Sequence, residues 1–184
     1  MVGPFQIVAT LALAWLAVFL EAALPGTRPW LGAQPDVLPA LMVHAALRTP
    51  LPNVFLLALW GGLALDTVSA NPLGVSCMPL LTVGLLLHLR RDLLLREQPF
   101  AQFMLGLLAG AAVPAMTAVL LLTLGRQPLL GWGTLVPWAW LALSNGLLTP
   151  LLFRLFVRAE GWFTYRRRGP LAFRPDREIR RGRY

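Results

Sequence analysis

The sequence has 184 residues, of which 57% are hydrophobic and only 13% charged, against about 45–50% and about 25% in an average soluble protein. Mean hydropathy is +0.66, and a soluble domain of this length has too little interior to hide so much apolar surface. These values exclude an ordinary soluble enzyme, a disordered chain and a secreted disulfide scaffold, and leave a polytopic helical membrane protein. The single cysteine, Cys77, excludes an internal disulfide and a cysteine-based zinc site. The net charge of +8 is unevenly placed: residues 158–184 hold nine Arg and three acids, whereas residues 1–157 hold seven Arg and five acids. The basic character therefore belongs to a tail rather than to a folded body, and no nucleic-acid partner is expected.

In chain order, Phe5–Leu24 is a first span opened by Pro4. It has no basic residue ahead of it and further apolar runs behind it, so it reads as a retained helix rather than a cleaved signal. Pro25, Gly26 and Pro29 break the chain. Val37–Leu47 is a run of 11 residues, too short to span comfortably; it is tilted, re-entrant, or extended by Pro35-Asp36 as its first turn. Further runs are Val54–Val68, Leu73–Leu89 after the turn Asn71-Pro72-Leu73-Gly74, Phe103–Leu124 and Leu135–Val157. The expected fold is an all-α membrane protein: a compact bundle of about six transmembrane helices over residues 1–158, followed by a basic cytoplasmic tail over 159–184. With both termini cytoplasmic, 14 of the 16 Arg lie inside and only Arg28 and Arg126 outside. Trp30, Trp132, Trp138 and Trp140 then form an outer aromatic belt.

Polar residues within the apolar runs are few. Asp36, His44 and Arg48 recur every four residues on one face, Gly62 shares a face with Asp66, Gly84 with His88, and Asn145 with Thr149. They read as interhelical hydrogen bonds and interface charges, with a proton or ion pathway as the sharper alternative. Asp36, Asp66 and Asn145 are the candidate structural or assembly residues. Gly106 and Gly110 form a GxxxG on a stripe with Gln102 and Pro114, where helix backbones approach closely, either inside the bundle or against a partner helix. There is no phosphate-binding glycine loop, no nucleophile set, and no carboxylate at ligand spacing from the two histidines. The expectation is a non-enzymatic protein with no catalytic residues, no cofactor and no metal.

Pro35-Asp36 with the apolar run to Arg48, Gly61-Gly62-Leu63-Ala64-Leu65-Asp66, Asn71-Pro72-Leu73-Gly74, and a last helix bearing Asn145 and Pro150 together resemble the bacterial rod shape-determining MreD family. The resemblance covers about residues 5–158. It implies a fold similar to the substrate-binding component of energy-coupling-factor transporters, and location in the bacterial cytoplasmic membrane. It also implies a scaffolding role in cell-wall elongation, with direct binding of MreC and association with MreB, RodZ, RodA and a class B penicillin-binding protein. A small-solute-binding transporter component is the alternative. In the tail, Trp162 beside Arg166, Arg167 and Arg168 reads as an element for membrane lipids, each Arg near anionic headgroups contributing about 1 kcal/mol.

Overall fold

The computed structural model describes residues 4–23, 36–69, 71–94, 98–126 and 131–165, with backbone alone at 4–7, 9, 22 and 160–165. All regular structure among these residues is helical: α1 (Pro4–Ala23), α2 (Leu38–Arg48), α3 (Leu51–Val68), α4 (Cys77–Leu89), α5 (Pro99–Thr123) and, after one 3-10 turn at Trp132–Thr134, α6 (Leu135–Tyr165). Contacts divide the chain into two units, residues 1–153 and 154–184. The packing described below is that of the first. In the second, α6 stays helical to Tyr165, past the 158–159 boundary expected from composition. Trp162 is placed there by backbone only, and Arg166, Arg167 and Arg168 lie outside the described residues.

Prolines set several of the helix starts. Pro39 lies in the first turn of α2, Pro52 in that of α3, and α5 opens on Pro99, positions where a missing N–H removes no helical bond. Pro50 also forces the end of α2, because the residue before a proline is pushed out of the helical region. Thr49 is accordingly extended, and its hydroxyl donates to the Ala45 carbonyl at 2.7 Å.

Among the described residues, three stretches are long and apolar enough to cross a membrane: Leu51–Val68, Pro99–Thr123 and Trp132–Ala159. Six α-helices form among the described residues, and two of them are shorter than a full span, α2 as the length of its apolar run implied. Helix α2 has 11 residues and α4 has 13, about 16 and 20 Å at 1.5 Å per residue, well short of the ~30 Å hydrocarbon core. The reason for α2 is burial. Every residue from Leu38 to Leu47 is buried, and α1, α3, α4 and α5 all pack against it. A helix apolar all round belongs at the centre of a bundle, and here it forms the core on which the longer helices lean. Helix α4 is shorter than its apolar run because Leu73 to Ser76 form turns instead of helix.

Candidate functional site

The short helices position two polar clusters at opposite ends of the bundle. At the first, the C-terminal turns of α2 and α4 lie side by side. His88 Nδ1 donates to the Ala46 carbonyl at 2.9 Å, which leaves Nε2 as acceptor for Arg91 at 3.5 Å. His44 meets Phe153 edge-to-face with ring centroids 4.9 Å apart, and the Arg48 guanidinium lies 5.7 Å from the same ring, within reach of a cation–π attraction. Arg48, Arg90 and Arg91 thus gather at one end, called the Arg end below.

At the opposite end, the tip of α3 is joined to the start of α4. Asp66, 2% exposed, accepts from the Gly74 N–H at 2.7 Å and the Ser76 N–H at 3.2 Å. One carboxylate thereby satisfies two donors of the Asn71–Ser76 turn. Gly74 adopts φ +93°, open to glycine without strain. Beneath this turn Gly62 passes so close to α4 that a Cβ on it would lie 2.7 Å from Cys77 Cα.

The third arrangement ties α2, α5 and α6 together. Asn145 Oδ1 accepts from the Ala40 N–H at 3.0 Å, while Asn145 Nδ2 donates to the Leu141 carbonyl of its own helix at 3.0 Å. One turn on, the Thr149 hydroxyl donates to the Asn145 carbonyl at 2.7 Å. Helix α5 lies directly on this strip. A Cβ on Gly110 would lie 2.7 Å from Asn145 Cβ, and one on Gly106 would overlap the Thr149 hydroxyl. Gly106 and Gly110 therefore pack against the chain's own last helix. Of the two roles expected for this stripe, close approach inside the bundle is the one these contacts match.

Above Gly110 the packing opens into a cavity of about 270 Å³. Asp36 and Pro39 line it from the start of α2, Asn71 and Ser76 from the turn, Gly110, Pro114 and Thr117 from α5, and Trp138 and Asn145 from α6. Of the candidate residues, Asp36, Asn145 and Gly110 meet at this cavity. Asp66 is one step removed, holding the backbone of Ser76. His44 and His88 belong to the other cluster, so the side chains considered for an ion pathway divide between the two ends. Sequence reading did not single out Asn71, Ser76, Thr117 or Trp138 as lining one space. The readable signal was Pro114 one turn after Gly110, both of which line the cavity. Among the described residues no three His, Cys, Asp or Glu side chains come together as a metal-ligand group. The chain matches no protein-family model, no curated protein and no solved structure.

Proposed function

We propose that this chain is a non-enzymatic membrane scaffold of the cell-wall elongation machinery, with an MreC-like single-span protein as its direct partner. The observation that carries the reading is the use made of its interior polar groups. Asp66 fastens a turn, Asn145 fastens α2 to α6, and His88 fastens α4 to α2. Each of these side chains holds the bundle's own parts together. The outward faces are apolar. On α3 they include Phe55, Leu59 and Trp60, and on α1 Trp15 and Phe19, whose rings stack at 5.7 Å. In lipid such faces meet other helices by shape and close packing. With the Gly106/Gly110 strip occupied, a partner helix would dock on α1 or α3.

In this reading the Arg end faces the cytoplasm, both termini lie on that side, and the membrane is the bacterial inner one. MreB, RodZ, RodA and a class B penicillin-binding protein are proposed as further members of the assembly, on the resemblance to the MreD family. The test is purification of the full chain in mild detergent with identification of co-purifying proteins. Recovery of an MreC-like protein, lost on Leu59→Arg with unchanged expression, supports the scaffold; repeated recovery of the chain without one overturns it. The cavity favours a second reading, a solute-binding transporter component.

A further inference from the structure

The cavity differs from the rest of the interior in the chemistry of its polar wall. Asp36 uses Oδ1 to accept from the Leu38 N–H at 2.8 Å, and its second oxygen is spared that role. Pro114, which lines the cavity, has no N–H to give to the Gly110 carbonyl one turn back, so that carbonyl lacks its helical donor. The Thr117 hydroxyl donates to Val113 at 2.9 Å, and its remaining capacity is to accept. Asn71 and Ser76 complete the polar side. Among the described residues no Arg or His lines the cavity, and Val113, Leu121, Trp138 and Leu141 supply apolar lining beside these polar groups.

A carboxylate and further acceptors within a largely apolar lining complement a group that carries positive charge and several N–H donors on a short apolar body. Buried charges need such pairing, and charge-assisted hydrogen bonds are the strong ones. An anionic ligand would meet Asp36 instead. The volume of about 270 Å³ falls just below the roughly 300–1,000 Å³ of drug-sized ligand sites, which suits a small ligand. We propose that the cavity between the start of α2, the Asn71–Ser76 turn and the Gly110–Leu121 segment of α5 binds a primary ammonium group, with Asp36 as its counter-ion. Two sources share this chemistry: a free small amine, and the ethanolamine headgroup of a phospholipid. The inference concerns the isolated chain and stands apart from the scaffold reading.

The experiment is calorimetric titration of the purified full-length chain in non-ionic detergent, with no partner present. The probes are n-hexylamine, n-hexanol as its uncharged counterpart, and dihexanoyl-phosphatidylethanolamine. The expected result is that at least one amine probe binds, more tightly than hexanol by about tenfold, the scale of one hydrogen bond to a charged group. Asp36→Asn keeps the acceptor for Leu38 and should remove that preference. Ala118→Phe fills the cavity, leaves Asp36 in place, and should abolish binding; it also serves if Asp36→Asn melts early. Binding of hexylamine alone identifies a free amine, and binding of the phospholipid alone identifies a headgroup site; either supports the proposal. It is overturned if neither amine binds, if hexanol binds as tightly as the amines, if the preference over hexanol survives in the folded Asp36→Asn protein, or if amine binding survives in the folded Ala118→Phe protein.

Discussion

Asn145 Oδ1 accepts the backbone N–H of Ala40 at 3.0 Å, across 105 positions of sequence. Ala40 sits in the first turn of α2, where N–H groups have no intrahelical partner. Asp36 satisfies the Leu38 N–H from the same chain segment, and Asn145 satisfies Ala40 from another helix. Asn145 is thus a cap supplied from a distance to the buried central helix. Asn145→Ala should leave the Ala40 N–H unpaired and reduce stability by about 1–3 kcal/mol. The readout is a lower melting temperature in detergent, with Asn145→Asp, which keeps Oδ1, falling between the two. A melting temperature unchanged in Asn145→Ala would show that the hydrogen bond contributes nothing net.

Asp66 makes the equivalent local tie. Its Oδ2 accepts from the Gly74 N–H at 2.7 Å and its Oδ1 from the Ser76 N–H at 3.2 Å. Asp66→Asn keeps one acceptor and should lower stability by about 1–2 kcal/mol, whereas Asp66→Leu leaves two backbone donors unpaired and should lose about 2–4 kcal/mol. Protein level and activity should then fall together across the two variants. Normal expression and melting with complete loss of activity in Asp66→Asn would assign the carboxylate a role beyond fastening the turn.

The α5–α6 contact predicts a different response. Gly106→Leu and Gly110→Leu drive a side chain into Thr149 and Asn145, where the obstacle is backbone and a hydrogen-bonded strip rather than a flexible tip. Overpacking of this kind typically costs about 1–3 kcal/mol or more, so both variants should melt early or aggregate. Leu108, 61% exposed on the same helix, gives the control: Leu108→Phe should behave like the parent. Stable glycine variants that have lost a partner would restore the strip to an external docking role.

How much of this was readable beforehand depended on the range of each interaction. The Asp66 tie spans eight to ten positions, and an Asp beside a Ser/Asn/Gly turn signals such a bond by residue type alone. The partner of Asn145 could not be read, because nothing local at 145 points to position 40. The GxxxG spacing correctly implied close backbone approach, yet spacing carries no information on whose helix approaches. For the run at 37–47, composition left open whether a short apolar helix spans, tilts or is enclosed. Enclosure by four neighbours settles its burial, and that is a property of packing rather than of the run itself. The cavity was illegible for the same reason, since its lining comes from α2, the turn, α5 and α6 together.

The two turns that flank α4 test orientation and span at once. Leu73 lies before the helix and Leu93 after it, 70% and 75% exposed, and α4 between them has only 13 residues. The contact of His88 with Ala46 places the far end of α4 beside Arg48, and Arg90 and Arg91 follow directly. Clustered Arg favours the cytoplasmic face. Leu73→Cys and Leu93→Cys, each in a Cys77→Ala background, would be probed with a membrane-impermeant thiol reagent on intact cells. Leu73→Cys should label directly and Leu93→Cys only after permeabilisation. The reverse pattern would invert the bundle and place the amine cavity on the cytoplasmic side. Labelling of both from one side would mean that α4, about 20 Å long at 1.5 Å per residue, does not cross the bilayer.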